Sequence, residues 1–557
     1  MRAAICGYSV AANQDHVIRI TKALLPIILL LTRVAGQSPA PEEGIPVTDP
    51  LVIAKCGPCH AKDDRGNLER ISWMRTTPEG WQEALRKTVL DGRLTIAPAE
   101  ARAVVKSLSG SHGLAPEEAQ PVAYYAERRI QEEGIDDDNP LTSCTKCHPA
   151  ARPLSWRRSP KEWEQFVETH AKEYKFDLNP RTITALSKTT SLHTPEWTGW
   201  SARTARPDLS GRWLVTAHLH GGGKYTGELQ VERGSAPDEF STRIKLKSTK
   251  NGFEVVRTGQ TVIFGGYQWR GRSRGVNPPN SPEDASNEAR ESLWFSPDLT
   301  RAEGRWFWGQ YQEFGFNVEL RRPSTGATLL AIDSQSLKIG SKSNAIRLIG
   351  DNFAAQVSPA DLSFGPGVTV RRIVSGNATE IVVEVDVAAN ATPRKNDVSL
   401  HGSVLKGRLA IYDRVDYLKV TPESSLAAFG NANYQRGFGI FEAIGFQRGP
   451  DGKAHTADDL DLGPIDATWS MEVFYAVDSS GNDKIGKVST AGLFTPAADN
   501  PGVNYDIWVI ATAVKEFSKD ARPLVGKGYV VVTVPEYTFN GRRYIRDLDR
   551  WIEEGTW

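Results

Sequence analysis

The chain is 557 residues long, with 67 Lys and Arg balancing 67 Asp and Glu, and 39% of its residues are hydrophobic. One hydrophobic core rarely outgrows about 250–300 residues, so this length predicts three to five domains. The neutral balance gives no basis for nucleic acid or an anionic membrane surface as the main partner, and the ordinary charged and aromatic content excludes a wholly disordered chain. Only five Cys and three Met occur, so each position carries information.

Near the start, Ala23 to Leu31 reads ALLPIILLL, an apolar run too short to span a bilayer. Arg19 and Lys22 precede it, the small residues Val34-Ala35-Gly36 follow, and a Pro-rich stretch comes next. This is the pattern of a secretory signal peptide over residues 1–36, with a single membrane anchor as the competing reading. An exported, periplasmic chain is expected, and Cys6 falls in the removed part.

The other four cysteines form two identical patterns, Cys56-Gly57-Pro58-Cys59-His60 and Cys144-Thr145-Lys146-Cys147-His148. C-x-x-C-H is the attachment sequence of c-type haem. Two thiols at this spacing reach the two vinyl groups on one side of the porphyrin, and the next residue, His, comes under the iron. Cys56, Cys59, Cys144 and Cys147 are therefore the expected tethers of two covalently bound haem c groups, with His60 and His148 as axial ligands. A zinc ribbon brings its Cys pairs within about 15–20 residues of each other. Here more than 80 residues intervene. Neither a thioredoxin-like pair nor a structural disulfide requires His after each pair.

A related segment follows each motif: Arg75-Thr76-Thr77-Pro78-Glu79-Gly80-Trp81 after the first and Arg157-Arg158-Ser159-Pro160-Lys161-Glu162-Trp163 after the second. A hydroxyl residue before Pro marks a helix start, and Glu162 is placed to complete a capping box with Ser159. Trp163, Phe166, Val167 and His170 then share one helical stripe, which makes His170 a candidate sixth ligand of the second haem, against a hydrogen-bonded core His. In the first copy the stripe is Trp81, Ala84, Leu85 and Thr88, so Thr88 stands where His170 does. Thr is a poor iron ligand. The first haem's sixth ligand is then Met74, His112, or an open position. Pro98 to Leu108 and Pro116 to Glu133 read as further helices. Residues 47–195 thus form an all-α unit of roughly 150 residues, whose radius of gyration near 15 Å keeps two irons within relay distance. Arg152, Arg157 and Arg158 are candidates for pairing with haem propionates, the alternative being solvated surface arginines.

After Trp200, alternating apolar and polar runs replace helical stripes. Gly211 to His220, Tyr225 to Arg233, Phe253 to Thr258, Gln260 to Trp269, Leu293 to Phe295, Ala302 to Trp308 and Gly315 to Arg321 predict an antiparallel β-barrel over 205–322, with Trp269, Trp294, Trp306 and Trp308 in its core and rim. His218 and His220 lie on one strand face, as a metal pair would. No third ligand is visible, so a structural role is the expectation. Residues 326–417 and 418–538 carry strands spaced as in two immunoglobulin-like sandwiches. The acidic stretch from Asp451 to Asp461 lacks the spacing of an EF-hand and reads as a solvated or interface loop rather than a calcium site.

This layout resembles the large (alpha) subunit of quinohaemoprotein amine dehydrogenase. The carriers of the resemblance are the leader, the two C-x-x-C-H motifs, the RTTPEGW and RRSPKEW repeats, the barrel with its two sandwiches, and the loop HTADDLDLG. The resemblance implies a periplasmic heterotrimer that oxidises primary amines to aldehydes and ammonia. It implies a cysteine tryptophylquinone in a small gamma subunit, a propeller-shaped beta subunit, and a di-haem alpha subunit passing electrons to an external cytochrome c or copper protein (a cupredoxin). It also implies His60 and His148 as proximal ligands and His170 as the second ligand of a bis-His haem. The family's other haem is His/Met, with Thr88 here where its Met is expected. No residue read in this chain does amine chemistry. A self-contained di-haem enzyme of peroxidase type and an exported electron carrier with β binding modules are the alternatives.

Overall fold

The computed structural model describes residues 42–123, 139–145, 150–176, 179–203, 208–431, 435–474, 482–517 and 522–534. The leader, Cys147, His148 and the end of the last domain lie outside the described residues. Among those described, no helix is long and apolar enough to cross a membrane.

The first part holds α1 (Pro50–Cys56), α2 (Pro78–Leu90), α3 (Pro98–Ser111), α4 (Pro116–Ala119), α5 (Thr142–Thr145), α6 (Ala151–Leu154), α7 (Pro160–Tyr174), α8 (Pro180–Thr189) and α9 (Pro195–Ser201). Most start on Pro, whose fixed φ suits a first turn and whose missing N–H leaves no gap there. Side chains of Asp49, Thr77, Ser159, Asn179 and Thr194 cap α1, α2, α7, α8 and α9. The expected helix from Pro116 to Glu133 is cut short: α4 gives way to a 3-10 turn at Gln120–Val122. Pro121 has no N–H to extend the α ladder; residues 124–133 lie outside the described residues. Nor is the region purely helical. β1 (Met74–Thr76) and β2 (Trp156–Arg158) pair antiparallel, with Met74 opposite Arg158, Arg75 opposite Arg157 and Thr76 opposite Trp156. The two copies of the repeated segment thus meet edge to edge.

Eight strands then close an antiparallel meander barrel: β3 (Gly211–Leu219), β4 (Gly223–Arg233), β5 (Glu239–Ser248), β6 (Glu254–Phe264), β7 (Gln268–Gly275), β8 (Ala289–Phe295), β9 (Arg301–Trp308) and β10 (Phe314–Arg321), with β10 returning to β3. Alternation explains the closure. In β5, Phe240, Ile244 and Leu246 point inward while Arg243, Lys245 and Lys247 are exposed. Trp213, Trp269 and Trp306 are fully buried. Trp294 instead donates its indole N–H to the Pro116 carbonyl at 2.7 Å, tying the barrel to α4. One barrel-centred core takes in Leu114, Ala119 and Ala151 from the helical part and Phe438 and Ile440 from the last β region.

Two four-stranded sheets follow. One runs Thr328–Ile332, Asn344–Asp351, Glu380–Val387, Val368–Gly376; the other runs Ser336–Lys338, Ser403–Tyr412, Arg394–Leu400, Leu362–Ser363. Leu348, Val383 and Val385 of the first and Leu400, Leu409 and Ile411 of the second share one core. Among the described residues, the last region pairs its strands in three sheets rather than the two expected of an immunoglobulin-like sandwich, with Gly439–Ile440 and Gly486–Val488 flanking Leu493–Pro496 in the third. Its core gathers Phe441, Phe494, Ile507, Val509 and Val530.

Candidate haem centre

The first C-x-x-C-H motif is the C-terminal turn of α1. The helix ends at Cys56, Gly57 donates to Ile53 O, and the amides of Cys59 and His60 both donate to Cys56 O at 3.1 and 2.9 Å. One carbonyl therefore winds both thiols and the histidine into a single turn. Cys56 is half-buried and Cys59 exposed, each with a free thiol. Burial and the adjacent Cys59 push the Cys56 thiol up to about 11, which keeps it protonated at neutral pH. Within the described residues the His60 ring makes no hydrogen bond or ion pair. Two free thiols and an uncommitted imidazole on one turn are the donor set that a covalently tethered porphyrin requires. In the second motif, Cys144 is half-buried on α5, its amide donating to Leu141 O at 2.8 Å. Cys147 and His148 lie outside the described residues.

The ribbon of β1 and β2 holds the two motif regions together through arginine. Arg75 is fully buried and forks onto Glu118, with Nη1 to Oε2 at 2.7 Å and Nη2 to Oε1 at 2.9 Å; its Nε donates to Leu192 O at 2.6 Å. Its repeat partner Arg157 donates Nε to the same Glu118 Oε1 at 3.3 Å. Thr194 adds its hydroxyl at 2.8 Å. Burial alone would raise the Glu118 carboxyl, yet the Arg75 hydrogen bonds and the charges of Arg75 and Arg157 hold it below its ordinary range. Sequence reasoning missed Glu118; the available signal was the repeated Arg, which called for a shared anion.

The expectation of propionate-pairing or solvated surface arginines is corrected for two of the three. Arg157 is buried on Glu118. Arg158 is buried among Trp156, Trp163 and Phe166, with its guanidinium carbon 4.2, 5.4 and 4.6 Å from their ring centroids. Burial pushes the Arg158 guanidinium down to about 9. Arg152 is exposed, 3.9 Å from Glu83. The capping box is half made: Ser159 accepts from the Glu162 amide at 3.3 Å, but the Glu162 carboxylate takes Arg70 at 3.2 Å, a contact between the repeats.

The sixth-ligand candidates fall as follows. Met74 is buried in the same apolar cluster against which Cys56 packs, but its sulfur accepts from Arg158 Nη1 at 3.6 Å. Thr88 turns its hydroxyl back onto Ala84 O at 2.9 Å. His112 is fully buried, with Nδ1 2.8 Å from the Ser111 hydroxyl and Nε2 3.1 Å from Ile45 O. Both ring nitrogens are engaged, so it is a hydrogen-bonded core histidine. Burial drives its imidazole down to about 4. His170 is half-buried on α7, stacked on Phe166 at 5.5 Å and beside Tyr174 at 4.6 Å. It follows the stripe read from the sequence, in which Trp163 and Val167 are buried.

Family models match nearly all of this architecture. "Quinohemoprotein amine dehydrogenase A, alpha subunit, haem binding" covers 47–178, and alpha subunit domains II, III and IV of the same enzyme cover 206–323, 326–413 and 418–542. No curated protein matches the chain. Among solved structures, a redesigned beta barrel is 13% identical over 20% of this chain and 94% of its own, with a TM-score of 0.18. Human protocadherin-24 EC1-2 is 11% identical over 38% of this chain and 100% of its own, with a TM-score of 0.16. A SusE-like surface polysaccharide-binding protein of Bacteroides thetaiotaomicron is 10% identical over 55% of this chain and 54% of its own, with a TM-score of 0.13. With a haem-binding domain at its head and the family's domains II, III and IV in order behind it, this chain belongs to the quinohemoprotein amine dehydrogenase alpha subunits, the haem-binding component of an oxidoreductase.

Proposed function

We propose that the chain is the di-haem electron-transfer subunit of a periplasmic amine dehydrogenase. Haem c, when bound, supplies reversible one-electron chemistry at iron. Cys56 and Cys59 tether the first group and His60 ligates it; Cys144, Cys147 and His148 do the same for the second, with His170 as its further ligand. Amine oxidation to aldehyde and ammonia belongs to a cysteine tryptophylquinone in a gamma subunit, with a propeller beta subunit completing a heterotrimer. Electrons leave to an external cytochrome c or cupredoxin. The leader accounts for export.

The observation that carries this reading is the β1–β2 ribbon, which joins the segments following both C-x-x-C-H motifs residue by residue. Two tethering turns rooted in one such unit serve a relay better than two isolated groups. The test is expression of the full chain in cells competent for cytochrome maturation. Two irons and two covalent porphyrins per chain are expected by mass, with Cys59→Ala and Cys147→Ala each removing one. A colourless product, or a single porphyrin, overturns the reading. Co-purification of a small quinone-bearing chain tests the assembly.

A second reading is favoured by one observation: the Thr88 hydroxyl, both His112 nitrogens and the Met74 sulfur are all engaged elsewhere. An exchangeable position on the first haem suits a peroxidase-like di-haem enzyme. Peroxide turnover by the reduced protein supports it, and none excludes it.

A further inference from the structure

We infer that His218, His220 and Glu442 form a binding site for a first-row divalent cation of the zinc type, set between the barrel and the last β region. His218 is the penultimate residue of β3 and His220 follows one residue past its end, and both rings reach the same carboxylate. The third ligand comes from 222 residues beyond His220 in the chain: Glu442 opens the strand Glu442–Gln447. His218 Nε2 lies 2.9 Å and His220 Nδ1 3.4 Å from the same oxygen, Glu442 Oε2. The three ligand atoms all lie within 4.8 Å of one another. Bonds of about 2.0–2.2 Å to a tetrahedral zinc place neighbouring donor atoms about 3.4 Å apart. The two histidine–carboxylate separations lie within about 0.5 Å of that value, and the two imidazole nitrogens are no more than 4.8 Å apart.

The surrounding bonds orient these atoms. His220 Nε2 lies 2.8 Å from Thr421 O, which can only accept, so the ring carries its proton on Nε2. That leaves the Nδ1 lone pair toward a carboxylate oxygen, and two acceptors at 3.4 Å repel unless a cation lies between them. A backbone carbonyl fixing the far nitrogen is the usual outer support of a metal-bound histidine. The other carboxylate oxygen, Glu442 Oε1, accepts from the Gly221 amide at 2.9 Å, which steadies Oε2 for the histidines. Gly221 has φ +75°, and a Cβ there would meet the Ile440 side chain at 2.7 Å, so a glycine suits the turn's close approach to the segment just before Glu442. The three side chains are 29%, 22% and 10% exposed, within reach of an aqueous ion. Two imidazoles and a carboxylate suit zinc, with the fourth position open to water.

The test uses the full chain with both haems attached, so that the cysteines are capped and iron counts the chains. After stripping with EDTA and dialysis against Zn²⁺, one zinc per two irons is expected. Glu442→Gln and His218→Gln should each weaken zinc binding by more than about 100-fold, beyond the 10–100-fold typical of outer-support changes. His401→Gln, at a distant exposed histidine, should retain it. Co²⁺ replacement reads the site directly in the unaltered protein, so the test survives a misfolded variant: an intense four-coordinate visible spectrum is expected. Absence of that spectrum, or zinc uptake by Glu442→Gln equal to that of the unaltered chain, overturns the site and leaves a hydrogen-bonded histidine–carboxylate contact between domains.

Discussion

Glu118 sits 8% exposed between two arginines that the repeat brings into register, and its charge survives burial because both of its oxygens are matched. Removing the anion leaves Arg75 and Arg157 facing each other in low dielectric. Glu118→Gln should therefore cost about 3–5 kcal/mol in urea unfolding, the range for breaking one side of a buried pair. The carboxyl is held below its ordinary 4.5, so its contribution is complete above that pH and is lost only as pH falls further through the folded value. His112 acts in a different window. Its folded value of about 4 lies below the ordinary 6.5, so the unfolded chain takes up a proton first. Stability from this group is full above pH 6.5 and declines toward pH 4, by about 3 kcal/mol at 1.36 kcal/mol per unit. Urea midpoints at pH 7, 5.5 and 4.5 should converge for His112→Gln and fall for the unaltered chain; parallel curves would refute this. At this scale the sequence showed what chemistry demands at fixed spacing, Cys56, Cys59 and His60. It hid what depends on partners far along the chain, Glu118 above all.

Hydroxyl-Pro pairs announced α2 and α7 because a capped first turn is a local matter. In the Pro116 segment the acidic and basic ends speak for a longer helix, and Pro121 ends it early. The strands read from the sequence omit β5 and divide β6 at Gly259, where an added Cβ would meet Arg272 O at 2.4 Å: that glycine marks crowding, not a turn. Gly80 is a similar case in a helix. The second copy carries Glu162 there, but in the first a Cβ would meet Thr76 Oγ1 at 2.1 Å and Cγ2 at 2.6 Å. Thr76 cannot swing away freely, since it is buried with its hydroxyl on Ser155 O at 2.9 Å. Gly80→Ala should therefore destabilise by about 1–3 kcal/mol through overpacking, against the roughly 1 kcal/mol that Ala gains over Gly in an open helix. Thermal melting followed at the Soret band checks the sign. In a Thr76→Ala background the penalty should shrink without vanishing, because the Cβ of residue 76 still lies 2.9 Å away, and an unchanged penalty would show that the crowding lies elsewhere.

The modules are joined by pairs that no local reading of the chain connects. Glu79, in the first turn of α2, meets Arg270 of β7, with Nη2 3.1 Å from Oε2 and a second bond from Nε. Arg212 of β3 forks onto Asp351 of the next sandwich at 3.0 and 2.8 Å. The two joints differ in burial, and that decides their weight. The Arg212 side chain is 37% exposed, so water and salt screen it, and Arg212→Ala should cost about 1 kcal/mol or less. Arg270 is 4% exposed and also donates to the Trp269 carbonyl at 2.9 Å. Glu79→Gln removes the carboxylate of this buried pair between the haem region and the barrel, at about 3–5 kcal/mol. Because the same pair links two modules, the loss should also split their cooperativity. In the unaltered protein the haem absorbance and the fluorescence of the barrel tryptophans should melt together. In Glu79→Gln the haem signal should melt first, with the barrel following at its own temperature. Coincident melting in the variant would mean that the apolar contact of Val262 and Phe264 with the α3 cluster carries the joint without this pair.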